Sequence, residues 1–484
     1  LFSCSEKDLL PEDVNIAPVQ EEISANTGDE TFVSSEQALG IAGKFLSSES
    51  GLETRALENV SVEAVKDEEN GGNPAMYVVN YPEGGWAIVS ATRNYFPVLA
   101  HSDKGSFNLE NISESGVSVW MAETKEAIRL SKDLADSVKV QINAQWLAYE
   151  EAPKRTHSAT QTRGYYEMIE RMDELAVQYS YVNGQWQYPM SLTDAQYYLD
   201  LSTYQSLVSM ANSLNSPPEY TIVVIRSNIA PTNITIGNLV DTEWHQKSPF
   251  NDFFDDDNLN GDKYNAGCAA IAVASVMKYH RHPDIVSNNG YTVDWYDLPD
   301  EPIADIINYT YETTNSVKTL IKYAADKVNM KYGIINQFGR FSWATPRAVK
   351  NGLINMGYTV NLTTHNISTL TSQLLNENPV IMVGNEQNWP LPSPLDLLNA
   401  GHYWVCSGID YSSNTLEYFV EFWNGSSYGN YGYYTPSNPG VSTTTYSEFY
   451  MNWGQRNGQD DAWYWDPYFP QGYEYARQNF YISK

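Results

Sequence analysis

The amino-acid sequence predicts an α+β protein with more than one domain. Its 484 residues exceed the size at which one hydrophobic core usually suffices. Helix-type and strand-type patterns alternate in the N-terminal part, and a helix of small apolar residues precedes strand-like runs in the C-terminal part. Both parts therefore combine helices with strands.

The composition is that of a folded protein that repels polyanions. Hydrophobic residues make up 42% of the chain, including 13 Trp, 36 Tyr and 15 Phe. No apolar run approaches the roughly 18 residues that span a bilayer. The 29 basic and 59 acidic residues give a formal charge of -30, which disfavours contact with phosphate backbones. We therefore expect no nucleic-acid partner.

The first 31 residues are predicted to be a tether. Residues 5–31 are acidic and show no hydrophobic period. The opening LFSC resembles the end of a bacterial lipoprotein signal, in which Cys4 would carry the lipid. That motif predicts a secreted, cell-surface or periplasmic protein with a membrane tether at Cys4. The alternative is a free thiol in a disordered start.

Residues 32–150 are predicted to form the first domain. Ser34 and Gln37 make a capping box ahead of a helix. The run AMYVVNYPEGGWAIVSA has two apolar stretches joined by a turn, which indicates a β-hairpin. A long helical pattern extends from Val117 to about Tyr149.

Residues 151–235 are predicted to be a joint followed by an insertion. The joint EEAPKRTHSATQTRG is polar and rich in Ser and Thr, so we expect it to be exposed and sensitive to proteases. Lys154, Arg155 and Arg163 are the candidate cleavage sites. The sequence assigns no role to residues 165–230.

The remaining residues, 236–484, contain the candidate chemistry, beginning with Cys268. The segment CAAIAVASVMKYH is apolar all round, which predicts a buried helix with Cys268 at its N-terminal end. Free backbone N–H groups and the helix dipole favour a thiolate there. A thiolate is a nucleophile, whereas the alternative is a buried Cys that only packs.

A catalytic Cys needs a His from elsewhere in the chain. Of the seven histidines, His402 follows a Gly and begins a short apolar run typical of a buried strand, so its ring would be held rigidly. The others have ordinary explanations; His365, for example, lies in a polar, turn-like segment. A core histidine remains the alternative for His402.

Three further residues could complete a site. Asn452 ends a strand-like run and could accept the ring N–H of His402, and Trp453 could cover that contact with its indole. Gln246 has a side-chain amide that could join the Cys268 backbone N–H in an oxyanion hole. Each has a structural alternative, such as a strand-end Asn in a turn.

Together these blocks resemble the streptopain family of papain-like cysteine peptidases. The blocks WHQKSPFN, GCAAIAVASVMKYHRHP, GHYWVCSGID and NWG occur in the family's order, from about Leu239 to the C-terminus. Residues 32–150 resemble the family's inhibitory propeptide. The resemblance implies a papain-like domain with a central Cys-bearing helix packed on an antiparallel sheet or barrel.

The resemblance also implies a role for each residue. Cys268 would be the nucleophile and His402 the base and then acid. Asn452 would orient His402, Gln246 would be the oxyanion donor and Trp453 the covering indole. The implied activity is a cysteine endopeptidase that acts on polypeptides and needs no cofactor. The resemblance also implies a zymogen whose propeptide occupies the cleft until it is cleaved. One departure is NWGQRNG, which lacks the family's second Trp.

Two functional alternatives and one metal hypothesis stay open. The altered NWGQRNG suggests a catalytically silent surface binding protein of the same fold, and the same residues could also serve a papain-like acyltransferase. The run DDDNLNGD matches the first half of a calcium loop. Its ligand candidates are Asp256, Asn258, Asn260 and Asp262, although Gly267 stands where the bidentate Glu is expected.

Overall fold

The computed structural model describes most of the chain. The described residues are 31–50, 60–109, 112, 116–134, 136–149, 163–180, 189–196, 198–227, 232–256, 263–296, 298–300, 311–336, 339–385, 401–454, 461–466 and 477–484. Within them, no helix combines the length and the apolar character needed to cross a bilayer.

Helices and strands alternate along the chain. The α-helices are α1 Ser35–Ser50, α2 Val117–Leu130, α3 Asp136–Tyr149, α4 Arg163–Ser180, α5 Leu192–Ala195, α6 Leu201–Ser213, α7 Cys268–His280, α8 Tyr311–Lys327, α9 Pro346–Asn355 and α10 Ile367–Leu375. The strands are β1 Ser61–Asp67, β2 Asn73–Asn80, β3 Trp86–Ser90, β4 Val98–Ser102, β5 Met190–Ser191, β6 Ile222–Ser227, β7 Thr232–Ile236, β8 Ser287–Asn288, β9 Tyr291–Thr292, β10 Lys331–Asn336, β11 Gly339–Trp343, β12 Thr359–Thr364, β13 Val380–Asn385, β14 Gly401–Trp423, β15 Tyr428–Gly429, β16 Gly440–Asn452, β17 Ala462–Tyr464 and β18 Gln478–Ser483.

The N-terminal elements confirm two of the local predictions. The capping box of α1 is formed, because Ser34 N–H donates to Gln37 Oε1 at 2.9 Å and Gln37 N–H donates to Ser34 Oγ at 3.2 Å. β2 and β3 form the predicted hairpin, with Asn80 opposite Trp86. Local sequence chemistry therefore fixes these two elements.

The predicted single helix from Val117 to Tyr149 is wrong, because the structure has two helices there. A short 3-10 turn over Ser131–Asp133 follows α2, and Leu134 then leaves helical geometry with a ψ of 142°. The Leu134 side chain is buried. An amphipathic pattern does not reveal the break, because Leu134 gains its buried position only when the chain turns.

One antiparallel sheet joins the N-terminal and C-terminal parts. Its strand order is β1-β2-β3-β4-β17-β16-β14-β13-β18-β12, and β14 also pairs with β6, β7 and β15. The junction is the pairing of β4 with β17, in which His101 lies opposite Trp463 and Ala100 opposite Tyr464. The first domain thus extends the sheet of the second.

The two faces of β14 belong to two hydrophobic cores. Tyr403 and Val405 pack in the core that contains α7 and α8. Trp404 and Cys406 pack in the other core, which is filled mainly by residues from α1, α2, α3 and the N-terminal strands. Since successive side chains of a strand point to opposite faces, β14 separates the two cores.

Residues 163–180, 189–196 and 198–227 pack on the far end of β14. β6 lies antiparallel to β14, with Val224 opposite Phe419, and a separate apolar core forms between α5, α6, β6 and β14. The Arg171 guanidinium contacts the Glu421 carboxylate with Nε–Oε2 at 2.7 Å. The segment without an assigned role is therefore attached to the C-terminal part, and the predicted domain boundaries stay predictions.

Candidate active site

Cys268 is the first residue of α7, as the sequence predicts. Gly267 precedes it with a φ of +93°, a conformation that L side chains rarely adopt. A Cβ at Gly267 would also collide with the Met330 side chain and lie 3.3 Å from Ser342 Cβ. Only Gly therefore lets the chain enter α7 at this angle, and the entry angle places the sulfur.

The sulfur of Cys268 reaches the backbone of β14. The backbone N–H groups of Tyr403, Ala269 and Cys268 itself lie near enough to the sulfur to lower its pKa. Tyr403 is held in turn, because its hydroxyl donates to Ala344 O at 3.0 Å. The structure thus brings the candidate nucleophile to the residue that follows His402.

His402 lies at the start of β14, where it pairs with Gly384. Alternation along the strand places its side chain on the face of Trp404, opposite the face of Tyr403 that packs toward α7. A Cβ at Gly384 would lie 2.9 Å from Val119 Cγ1 of α2. The N-terminal domain therefore covers the strands beside His402.

Burial keeps both groups in their neutral forms. It raises the pKa of the Cys268 thiol, and the three backbone N–H groups offset this only in part. It lowers the pKa of His402 to about 4. His402 Nε2 is buried without a hydrogen-bond partner in the described part of the chain. In this state burial opposes the thiolate that the position at the start of α7 is predicted to favour.

Asn452 ends β16 and lies opposite Val405. Its side-chain Nδ2 donates to Val240 O at 3.0 Å and to Thr242 O at 2.8 Å, and its Oδ1 accepts from Gly454 N–H at 3.1 Å. Both amide hydrogens are thereby used, which fixes the orientation of the carboxamide. Its predicted contact with His402 stays a prediction.

The structure places Gln246 beside the start of α7. Its carbonyl oxygen accepts from Ala266 N–H at 2.9 Å, two residues before Cys268. Trp453 lies in the other core, with its ring 5.3 Å from that of Trp404 and 5.2 Å from that of Tyr464. Trp453 therefore lies on the face of β14 where alternation also places the His402 side chain. Gln246 lies near Cys268, the predicted nucleophile.

A buried ionic cluster beside this site was missed by the sequence analysis. Arg477 pairs with Glu123 of α2 and, at 2.6 Å, with Asp466. His365 Nε2 lies 2.7 Å from Asp466 Oδ2, so His365 is a buried hydrogen-bond partner of Asp466. These side chains are at most 3% exposed. Four distant segments supply them, and no local motif announces such a cluster.

Burial raises the pKa of both carboxylates of this cluster, but their net pKa shifts are opposite. It raises the pKa of Glu123, and Arg477 offsets this only partly. Burial would also raise the pKa of Asp466, but His365 and Arg477 outweigh it and hold that pKa below its usual range. Of the two carboxylic acids that contact Arg477, Asp466 is therefore ionised more readily than Glu123.

The described residues do not test the calcium hypothesis. Asp256 pairs with Lys263 Nζ at 2.8 Å. Asn258, Asn260 and Asp262 lie outside the described residues, as do Gln455–Gly458 of the altered NWGQRNG segment. No group of three or more His, Cys, Asp or Glu residues suited to a metal occurs within the residues that the structure describes.

Two solved structures are similar to this chain. A prointerpain A fragment from Prevotella intermedia is 16% identical with a TM-score of 0.42, and the match covers 88% of this chain and 98% of that one. Active interpain A cysteine protease from the same organism is 21% identical with a TM-score of 0.33, covering 51% and 94%. The search of curated proteins found no match.

Two family models match the chain in the predicted order. Residues 30–128 match the model described as Spi protease inhibitor, and residues 244–464 match the Peptidase C10 family. The second match contains all five predicted site residues. The α+β prediction, with a propeptide ahead of a papain-like domain, is confirmed. The chain therefore belongs to the Peptidase C10, or streptopain, family of cysteine peptidases and carries an inhibitor-type domain at its N-terminal side.

Proposed function

We propose that this cysteine peptidase is an endopeptidase made as a zymogen, with Cys268 as nucleophile and His402 as its base. The observation that carries this proposal is the contact of the Cys268 sulfur with the backbone of Tyr403, the residue next to His402. The proposal requires the start of β14 to rearrange when the N-terminal domain leaves, so that the His402 side chain turns from the face of Trp404 to the face of Tyr403. Its polypeptide substrates follow from the same chemistry.

In the proposed reaction the Cys268 thiolate attacks a peptide carbonyl carbon. The carbonyl oxygen becomes an oxyanion, which the Cys268 backbone N–H and the Gln246 side-chain amide stabilise. His402, oriented by Asn452, protonates the leaving amine, and a thioester to Cys268 remains. Water, deprotonated by His402, then hydrolyses the thioester and regenerates the thiolate. Trp453 shields the His402 contact from solvent.

The N-terminal domain is proposed to inhibit the enzyme by covering one face of β14. Three contacts support this: the β4–β17 pairing, the shared core and the buried Glu123–Arg477 pair. Trp120 of α2 adds a hydrogen bond from Nε1 to Trp465 O at 2.8 Å. These buried contacts explain how the domain can stay docked on this face of β14.

Desolvation is the proposed cause of inactivity. With the N-terminal domain docked, the pKa of His402 is lowered to about 4 and that of Cys268 is raised, so neither group carries charge at neutral pH. When the domain leaves, water reaches the face of His402, and its pKa should return toward about 6.5. The imidazolium can then stabilise the thiolate.

Casein hydrolysis tests the proposed nucleophile. We expect the processed Cys268→Ala variant to lose activity by about a thousandfold or more. Cys406→Ala is the matched control, since Cys406 is also a free thiol but lies buried on the opposite face of β14. Equal hydrolysis by wild type and Cys268→Ala would refute the proposal.

The cellular setting and ion requirement are also proposed. The LFSC start supports a secreted or surface protein anchored in the membrane through lipidated Cys4, which mass spectrometry of the N-terminal peptide would test. Residues 1–30 lie outside the described part. The proposed chemistry uses no cofactor and no nucleic acid. Calcium at Asp256, Asn258, Asn260 and Asp262 would only stabilise the turn just before Cys268.

A further inference from the structure

The nucleophile helix contains one buried hydroxyl whose purpose the reaction does not explain. Between Cys268 and Lys278, every side chain of α7 is apolar except Ser275, which is 1% exposed. A buried hydroxyl without a partner costs free energy, so a Ser at this position needs a hydrogen bond.

Thr242 supplies the partner of Ser275. Thr242 Oγ1 donates to Ser275 Oγ at 2.8 Å, and Thr242 is 2% exposed. The carbonyl oxygen of the same Thr242 accepts from Asn452 Nδ2 at 2.8 Å. A continuous buried chain of hydrogen bonds therefore runs from the nucleophile helix through Thr242 to the Asn452 side chain.

The position of Thr242 also affects Gln246. Residues 240–246 form a strap that begins under the Asn452 amide, with Val240 O accepting at 3.0 Å. The strap ends beside α7, where Gln246 O accepts from Ala266 N–H at 2.9 Å. Ser275 lies seven residues after Cys268, which is two helical turns along the same face of α7. The hydrogen bond between Thr242 and Ser275 thus attaches the strap to the helix that carries the nucleophile.

We propose that Thr242 and Ser275 are positioning residues for catalysis. Their hydrogen bond holds the strap so that the Asn452 amide and the Gln246 side chain keep a fixed position relative to Cys268. The inference rests on the proposed roles of Asn452 and Gln246. A misplacement of about 1 Å at a catalytic group is enough to lower rates strongly.

Four variants test this inference. Each is prepared as the full chain and processed with trypsin, and a protein inhibitor then blocks the trypsin. Thr242→Val keeps the shape and removes the donor, and Ser275→Ala removes the acceptor. We expect each to lower kcat about tenfold with little change in KM, and the double variant to lose no more than either single one. Thr242→Ser keeps the hydroxyl and should recover most of the activity.

The pH profile distinguishes positioning from a general loss of stability. If His402 loses its orienting amide, the imidazolium is less favoured, so the alkaline limb of the kcat/KM profile should move to lower pH. Thr221→Val is the matched control, because Thr221 and Ser216 form a buried hydroxyl pair at 2.8 Å in the region packed on the far end of β14. This control should leave kcat and the profile unchanged.

Several results would overturn the inference. It fails if Thr242→Val and Ser275→Ala keep kcat within twofold of wild type, if they act only as Thr221→Val does, or if Thr242→Ser does not recover activity. Failure of the proposed function looks different, because Cys268→Ala or Asn452→Ala would then retain full activity. Should Thr242→Val not fold, Ser275→Ala gives the same answer from the other partner.

Discussion

One face of β14 packs on α7 within the catalytic domain, whereas its opposite face packs on the N-terminal domain. Tyr403 and Val405 lie on the first face, and Trp404 and Cys406 on the second. All four are at most 4% exposed. The first face stays complete when the N-terminal domain leaves, but the second loses its cover. We infer that the nucleophile is held by permanent packing and its base by packing that can be removed.

The largest effect is expected when the proposed base is removed and the packing of β14 on α7 is left intact. His402→Gln should lower kcat of the processed enzyme by about a thousandfold or more, because His402 is the proposed base for the Cys268 proton. His280→Gln is the control, since His280 is a buried histidine at the far end of α7. Casein hydrolysis measures both. Similar losses in the two variants would contradict a specific role for His402.

A second prediction concerns the docking of the N-terminal domain on β14. Glu123→Gln leaves buried Arg477 with Asp466 as its remaining carboxylate, which should cost about 3 kcal/mol of docking free energy. Alkylation of Cys268 in the full chain should then accelerate about a hundredfold. Mass spectrometry of the Cys268 peptide measures the rate.

The control for this prediction lies on the same helix. Glu126→Gln removes a carboxylate of α2 that pairs with Arg129 inside the N-terminal domain. It should leave the alkylation rate of Cys268 nearly unchanged. If both variants behaved like wild type, the Glu123–Arg477 pair would not contribute to docking.

A third prediction separates the two faces by pH. Burial lowers the pKa of both His402 and His280 to about 4, below the value of about 6.5 expected on unfolding. For such a group, stability is present above pH 6.5 and is lost as the pH falls from 6.5 toward 4. Each would contribute about 3 kcal/mol to this change at most.

Urea unfolding at pH 7 and pH 4.5 measures these contributions in a Cys268→Ala background. In the full chain, His402→Gln and His280→Gln should each reduce the difference between the two pH values. Once the N-terminal domain has been removed, only His280→Gln should still do so, because His402 is then solvated. An effect of His402→Gln that persists in the processed enzyme would place His402 in permanent packing.

The smallest expected effect concerns metal ions. EDTA should leave casein hydrolysis unchanged, because the proposed reaction uses side chains and water alone. The melting temperature in the presence and absence of calcium tests the loop that contains Asp256. If EDTA abolished casein hydrolysis and calcium restored it, the enzyme would need a metal ion for activity, contrary to this prediction.

The sequence predicted the features that depend on neighbouring residues. The capping box of Ser34 and Gln37 and the apolar helix after Cys268 are local patterns, and both are present. The strand at His402 was predicted to be short, but β14 extends over 23 residues. The rest of β14, including its polar middle DYSSNT, is strand because β6, β7 and β16 pair with it, and a local pattern does not contain those partners.

The sequence could not predict which face of β14 each side chain occupies. Side chains alternate along a strand, so a single residue of phase decides whether His402 faces α7 or α2. The Glu123–Arg477 pair also remained hidden, since 354 residues separate the two partners. Ser275 was detectable as the one hydroxyl between Cys268 and Lys278 in an otherwise apolar stretch, although its partner Thr242 was not.

The most direct test compares Cys268 alkylation across pH in the full chain and in the processed enzyme. With the N-terminal domain docked, we expect slow alkylation that rises only above the ordinary range of a thiol, as the raised pKa of Cys268 requires. After its removal, Cys268 should react rapidly from pH 5 to 8 as a thiolate paired with the His402 imidazolium. Identical profiles in the two forms would contradict the account.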